Sequence, residues 1–242
     1  MSNIQTTPMP VKLDLVNVIW CYERKTASVK ILLLKDNGWT LPKTELLTEG
    51  DAPKAIIQLT EKLTGQKVAR ENVEQLYTLT HPERQIDGER TITLAYMTYL
   101  PEFPELSRKG MDFFTLESAA EDYYFKKDDE RLTLPRTTNE SKYHQYGLSE
   151  QALFLDDDLI LQRACLQVKK SLHCRPEILK ILGPVFTLRE ARSVYAPFLM
   201  LHLNQIDNSN FKKTQQKLFE DVGQAMQKSP GRPARLYRLR DN

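Results

Sequence analysis

The chain reads as an α/β unit followed by a smaller α+β unit. Three observations predict this. β-branched apolar runs alternate with a capped amphipathic helix through the first half. Near residues 150–160 the character changes to short helices that end in a β-hairpin. Charge is also segregated: from Leu161 onward there are 15 Lys and Arg against 6 Asp and Glu, whereas residues 1–160 carry 19 against 26. Such segregation aims the C-terminal part, and not the N-terminal part, at a polyanion.

Val11 to Cys21 and Val29 to Leu34, separated by the polar stretch Glu23 to Ser28, read as a hairpin. Asp36-Asn37-Gly38 is turn chemistry. Thr48 to Gly65 reads as a helix: Asp51 caps it, Pro53 sits in its first turn, Ala55, Ile56, Leu59 and Leu63 recur at helical spacing, and Gly65 stops it. Val73 to Thr80 and Thr91 to Leu100 read as strands around a polar loop, Pro82 to Glu89, with Gly88 at its turn. A short strand follows at Met111 to Leu116. Glu121 to Glu150 is highly charged and rich in Tyr; it reads either as a long hairpin, Tyr123–Lys126 with Arg131–Leu134, or as a mobile excursion able to cover a pocket. Leu155 to Leu172 places Leu161, Ala164, Val168 and Leu172 on one helical face, as a linker helix would. These patterns divide the chain into residues 1–154 and 155–242.

With 242 residues and 40% apolar content the chain can bury a proper core. Its longest apolar runs are of the order of Ile31–Leu34 and Phe198–Leu201, far from the roughly 20 residues a membrane span needs. Met1 to Pro10 has no basic n-region or apolar h-region. Cys21, Cys165 and Cys174 form no CxxC pair and read as reduced thiols. His81, His144, His173 and His202 have no metal-ligand spacing. The expectation is a cytoplasmic, nucleoid-associated protein without membrane contact, metal or cofactor.

Two segments carry the chemistry. Trp39-Thr40-Leu41-Pro42 leads through a loop to a helix ending Leu63-Thr64-Gly65. The second segment starts at Phe186-Thr187-Leu188-Arg189-Glu190, where Thr187 and Glu190 have the spacing of a capping box. Leu188, Ala191, Val194 or Tyr195, and Phe198 form the buried stripe of that helix, and a turn follows at Asn204 to Asp207. In the next helix, Asn208 to Leu218, Phe211 and Leu218 face inward. Asn210, Lys213 and Lys217 line its outer face, with Lys212 and Gln216 beside them. Lys can contact phosphate or guanine, and Asn and Gln can pair with adenine. Two helices joined by a turn, the second one basic, form a helix-turn-helix. In the tail, Leu236, Arg238 and Arg240 alternate with Tyr237 and Leu239 as in a strand, and Gly231-Arg232-Pro233 suits a minor-groove hook; together they read as a wing. The candidate DNA contacts are Thr187, Arg189, Asn208, Asn210, Lys212, Lys213, Gln216, Lys217, Arg232 and Arg235.

The first segment resembles the Nudix box, a loop–helix–loop that begins Leu-Pro-Gly-Gly and ends with paired glutamates, one residue and a glycine. The spacing from Leu41 to Gly65 matches without a gap. Its chemistry does not: the box glycine is Thr44, the first glutamate Gly50, the arginine Gln58, its neighbouring glutamate Leu59, and the two late glutamates Lys62 and Leu63. Hard cations need carboxylate oxygens, so metal-dependent hydrolysis is not expected. Glu45, Glu49 and Glu61 remain nearby. Leu76-Tyr77-Thr78, His81-Pro82-Glu83-Arg84, Gly88 and Thr93-Leu94-Ala95-Tyr96, followed by Phe-Thr-Leu-Arg-Glu, Asn-Phe-Lys-Lys and Gly-Arg-Pro-Ala-Arg-Leu-Tyr, resemble the Nudix-related transcriptional regulators of NAD metabolism.

That resemblance implies an α/β Nudix-like sandwich followed by a C-terminal α+β winged helix-turn-helix domain. It implies a homodimer that binds a palindromic double-stranded DNA operator, usually as a repressor, and releases it when a small-molecule effector such as ADP-ribose binds the Nudix unit. A sister group senses a sugar instead. Arg84 is the expected anion contact of the effector site, Trp39 stacks on a base or turns into the core, and Lys43 and Thr44 replace the glycine pair where a pyrophosphate would approach. A residual pyrophosphatase and a scaffold for protein or RNA are the alternatives.

Overall fold

The computed structural model describes residues 11–47, 49–82, 84–86, 88–106, 109–145, 153, 156–224 and 233–240. Its centre is the long strand β1 (Lys12–Glu23), buried on both faces. Successive strand side chains point to opposite sides. Val16, Val18, Trp20 and Tyr22 therefore enter one apolar cluster, and Leu15, Ile19 and Cys21 enter another. The turn after β1 returns the chain antiparallel in β2 (Ser28–Lys35), where Val29, Ile31 and Leu33 share the first cluster and Leu32 the second. Two short strands, β3 (Trp39–Thr40) and β4 (Lys43–Glu45), fold back on β2 and β1.

The first helix, α1 (Ala52–Thr64), begins and ends as its caps dictate. The Asp51 carboxylate accepts the Lys54 amide at 2.8 Å, and Gly65 takes the left-handed conformation that closes the helix. Ile56 carries α1 onto the second cluster. A buried polar chain fixes its register on the sheet: Asn17 Nδ2 donates to Thr60 Oγ1 at 2.9 Å, and Thr98 Oγ1 donates to Asn17 Oδ1 at 3.0 Å. Beyond it come β5 (Val73–Leu79), β6 (Gln85–Ile86) and β7 (Glu89–Tyr99). β7 lies parallel to β1 and antiparallel to β5.

The hairpin alternative for residues 121–150 is the one observed. After β8 (Met111–Ala119), strands β9 (Asp122–Lys127) and β10 (Glu130–Thr133) extend the main sheet to the order β10-β9-β8-β2-β1-β7-β5. The excursion reading fails over these strands because the tyrosines and their neighbours are core residues: Tyr123, Phe125, Leu132 and Leu134 are all buried. A short helix, α2 (Glu140–Gln145), follows; residues 146–150 lie outside the described ones.

The next helix, α3 (Asp157–Ser171), is more than a linker. Leu159, Ile160, Leu161, Ala164, Cys165 and Val168 are all buried in the first cluster, so it is enclosed along most of its circumference. A 3-10 turn at Glu177–Leu182 leads to β11 (Phe186–Thr187), α4 (Leu188–Leu199), α5 (Asn208–Gln215), β12 (Phe219–Gln224) and β13 (Arg235–Leu239). The last three strands form their own sheet, ordered β11-β13-β12. Phe186, Tyr195, Phe211, Phe219 and Tyr237 fill the space between it and the helices with edge-on and tilted ring contacts.

The sheet is thus a middle layer, with α1 on one face and α3, the 3-10 turn and α4 on the other. Trp20 of β1 meets Phe198 of α4 edge-on at 5.5 Å, and Tyr123 Oη donates to the Phe198 carbonyl at 2.6 Å. Arg24 donates to the Leu182 carbonyl at 2.6 Å and pairs with Glu190 at 3.1 Å. The first cluster is shared by both halves of the chain, whereas the second, under α1, belongs to the N-terminal half. Phe198→Ala should cost about 3–5 kcal/mol, the range for removing a buried aromatic ring. In denaturant, tryptophan fluorescence, which reports the sheet, and far-ultraviolet circular dichroism, which reports the helices, should move together to lower midpoints. A separate early transition of the C-terminal helices alone would contradict the shared core.

Candidate functional site

Two regions carry the candidate residues. The first lies on the C-terminal unit. Helix α4 opens with the capping box: the Thr187 hydroxyl accepts the Glu190 amide at 3.2 Å, and the Glu190 carboxylate accepts the Thr187 amide at 2.8 Å. Ala191, Val194, Tyr195 and Phe198 are buried as the stripe requires. Asp207 caps α5 by accepting the Asn210 amide at 2.7 Å. Phe211 turns inward, and Asn208, Asn210, Lys212 and Lys213 stand exposed. The helix ends at Gln215, earlier than the spacing predicts, because the turn into β12 takes over; Gln216 and Lys217 are exposed on that turn.

Between α5 and the β12–β13 hairpin lies a groove of about 420 Å³, lined by Lys212, Lys213, Gln216, Ser209, Tyr237 and Arg240 among others. Of these, Ser209 stands on α5 itself, outside the predicted contacts, and Tyr237 and Arg240 escape motif reading because only the hairpin's return brings them beside α5. Arg189 is exposed at the start of α4. Two expected contacts are already engaged within the chain. The Thr187 hydroxyl also donates to Glu190 at 2.9 Å, which completes its cap. Arg235 pairs with Asp221 at 2.5 Å, and that hydrogen bond holds the Asp221 carboxyl below its usual range. Arg232 and the Gly231 before it lie outside the described residues.

The second region is the loop between β3 and β4. Near it the structure places two of the candidate residues. Arg84 is no surface anion contact. It is 4% exposed, its guanidinium is ion-paired with Asp156, and its Nε donates to Thr93 Oγ1 at 2.9 Å. Its partner lies 72 residues further along the chain, which is why no local pattern announces it. Trp39 faces inward: its ring meets Phe114 edge-on at 4.8 Å, its Nε1 donates to Glu130 at 2.8 Å, and Lys35 lies over its face at 4.4 Å. Stacking on a ligand base is closed to it by these contacts.

Lys43 and Thr44 sit half-buried on β4. Asp157 of α3 reaches the same loop. Its Oδ2 accepts the Leu41 amide at 2.8 Å and the Thr40 hydroxyl at 2.8 Å, with Lys43 Nζ at 3.8 Å. Asp158 accepts the Tyr143 hydroxyl at 2.6 Å. Asp14 of β1 is buried in the same neighbourhood, facing Lys43 and Arg84. Burial pushes the carboxyls of Asp14, Asp157 and Asp158 up, that of Asp157 to about 6 in spite of Lys43, the Leu41 amide and the Thr40 hydroxyl. Three consecutive aspartates are thus the functional feature that sequence reading missed. Their only local signal is an acidic run ahead of an apolar helical stripe.

The box helix holds no carboxylate set. Gln58 and Lys62 are exposed and Leu59 and Leu63 half-buried on α1. Gly50 sits in the loop before α1, its amide bonded to the Leu47 carbonyl. Glu61 accepts the Val68 amide at 3.1 Å, and Glu45 pairs with Lys12 at 2.6 Å. Among the described residues, no group of three or more His, Cys, Asp or Glu could hold a metal ion, and no helix is long and apolar enough to cross a membrane.

Because Asp157 titrates near 6 in the folded chain against 3.8 ordinarily, the native state holds an extra proton between those values. Its stabilising contribution is complete below pH 3.8 and is lost as pH rises through 6, by up to about 3 kcal/mol. Asp157→Asn keeps a hydrogen-bond acceptor and removes the titration. Urea midpoints of the variant should lack the fall that the parent shows between pH 4 and 6; parallel profiles would remove Asp157 as the group responsible.

Residues 178–239 match the family model of the NrtR DNA-binding winged helix domain. No curated protein matches the chain. Among solved structures, a MutT/nudix family protein from Enterococcus faecalis is 27% identical, covering 96% of this chain and 89% of that one, with a TM-score of 0.84. Shewanella oneidensis NrtR complexed with a 27mer DNA is 16% identical over 94% of this chain and 93% of that one, with a TM-score of 0.66. The same protein without DNA is 17% identical, with 94% of each chain covered and a TM-score of 0.64. This chain therefore has the NrtR-type architecture, a Nudix-like fold joined to a winged helix domain.

Proposed function

We propose that this protein is a DNA-binding transcriptional regulator, a repressor of NAD-metabolism genes, whose Nudix-like unit senses a nucleotide such as ADP-ribose and has lost hydrolysis. The observation that carries it is the exposed Asn, Lys and Gln surface of a capped helix beside a hairpin groove, inside a domain that matches a DNA-binding winged helix model. α5 enters a major groove in this reading, with Asn208, Asn210, Lys212 and Lys213 toward bases and phosphates and Gln216 and Lys217 beside them. Arg189 contacts the backbone and Arg232 the adjacent minor groove. Two copies read a palindrome, with half-sites about one or two helical turns apart. The loss of hydrolysis rests on the box positions: Leu59 and Leu63 offer no ligand, Lys62 repels a cation, and Glu45 and Glu61 are engaged elsewhere.

The test is a gel shift on the DNA upstream of the protein's own gene and of NAD-biosynthesis genes, with and without ADP-ribose. Sequence-selective retention that ADP-ribose abolishes is the expected result. Retention equal to that of unrelated duplex of the same length would overturn the regulator reading. Lys213→Ala and Arg189→Ala should each weaken operator binding and reduce the slope of log affinity against log salt by about one. A variant with unchanged affinity and slope removes that residue from the interface.

A further inference from the structure

The groups that converge on Asp156 and Asp157 make an anion receptor. The Leu41 amide, the Thr40 hydroxyl and the Lys43 ammonium come from the β3–β4 stretch of the Nudix-like unit, and the Arg84 guanidinium from the stretch before β6. Each offers only donors or positive charge to the carboxylates, the set that binds a phosphate or pyrophosphate oxygen elsewhere. The occupants are side chains of the first turn of α3, at the positive end of the helix, where negative charge is tolerated. They are buried to within 2% of complete exclusion.

The charge balance is unfavourable. Asp14, Asp156 and Asp157 face Lys43 and Arg84; Lys12 also faces Asp14 but is shared with Glu45, so a surplus carboxylate is buried rather than solvated. Among the described residues, Asp14 Oδ2 and Asp156 Oδ1 are enclosed without a hydrogen-bond partner. Packed carboxylates without full compensation are costly, and the cost is relieved when one of them leaves for water. An anionic ligand cannot enter beside them, because it would add like charge to a low-dielectric site. It can enter only by taking their place.

We propose that Asp156 and Asp157 are a built-in competitor of the effector: they fill the pyrophosphate subsite made by Thr40, Leu41, Lys43 and Arg84, and a nucleoside diphosphate binds by expelling the first turn of α3. This rests on the effector-sensing reading given above and names how that site is regulated. It also gives Arg84 an anion role, in which Asp156 is the present partner. Expulsion moves the start of a helix whose far end is bonded to the DNA-binding unit, where the Tyr195 hydroxyl donates to the Leu172 carbonyl at 2.7 Å.

The experiment is calorimetric titration of the full-length parent, Asp156→Asn and Asp157→Asn with ADP-ribose and, separately, with inorganic pyrophosphate. Asparagine retains the size and an acceptor but gives up the charge that competes. The expected result is at least tenfold tighter binding of both probes to Asp157→Asn, with operator released at correspondingly lower ADP-ribose. Unchanged or weaker binding to folded variants overturns the inference. Hydrogen exchange of the unaltered chain decides independently of any substitution: ADP-ribose should deprotect the amides of residues 157–161 and protect Leu41. Unaltered exchange there under saturating ADP-ribose overturns it. If neither probe binds parent or variants, the competitor reading falls with the effector assignment, while operator retention in the gel shift would leave the DNA-binding reading standing.

Discussion

The structure depends on one constraint: a sheet buried on both faces must be covered on both. Strand β1 commits the chain to this, because its alternate residues are apolar in both directions. α1 covers one face. The other is covered by residues that arrive only after position 156, namely α3, the 3-10 turn and α4. The N-terminal unit is incomplete without the helices of the DNA-reading unit, and α4 is at once the first helix of the helix-turn-helix and part of the second layer of the Nudix-like sandwich. Trp20 against Phe198 is the centre of that layer. Burying an aromatic pair of this size outweighs the surface ion pairs around it, such as Arg24 with Glu190, whose contribution is typically below about 1 kcal/mol.

Sharing a core has a consequence for signalling. Close-packed interiors do not deform continuously; they shift between discrete arrangements. A movement in the β3–β4 loop meets α3 through charge and hydrogen bonds as well as through the common core that Trp39 and Leu41 enter. Asp157 joins α3 to this loop through the Leu41 amide and Thr40, and Asp156 joins α3 to Arg84, which precedes β6. Polar contacts of this kind can be exchanged for those of a ligand at small net cost, whereas the apolar seam at Phe198 has no such substitute. The molecule thus separates a replaceable contact at the start of α3 from a permanent one on α4.

Sequence legibility divides along the range of the interaction. The Asp51 cap, the Gly65 stop and the Thr187–Glu190 box were readable because each partner lies within four residues of the other. The alternation of β1 and the basic outer side of α5 were readable for the same reason. The burial of Arg84 and the choice between the two roles of Trp39 are not legible locally, because their partners, Asp156 and Glu130, are distant in the chain. A Tyr-rich charged stretch such as Asp122–Lys127 looks like surface until the sheet is assembled, and then Tyr123 and Phe125 are core. The three aspartates before α3 mark a helix start, but nothing local says that all three are buried. The groove residue Arg240 is placed by the return of β13, a long-range fact.

α3 is the element in which these strands of argument meet. Fifteen residues span about 22 Å at the usual rise per residue. Its first turn grips the loop of the Nudix-like unit, its middle is sealed in the common core, and its end is held by Tyr195 of α4. Tyr195 also lies edge-on to Phe211 of α5 at 5.0 Å, so the path from Leu41 to the inner side of the DNA-facing helix runs through α3 and two aromatic side chains. A ligand can bias operator affinity through this path only by the difference in its affinity for the two positions of the first turn. Burial of Leu159, Ile160 and Leu161 favours the occupied position, and its uncompensated carboxylate narrows the gap between the two. A small gap is what lets a modest ligand preference shift the population between them.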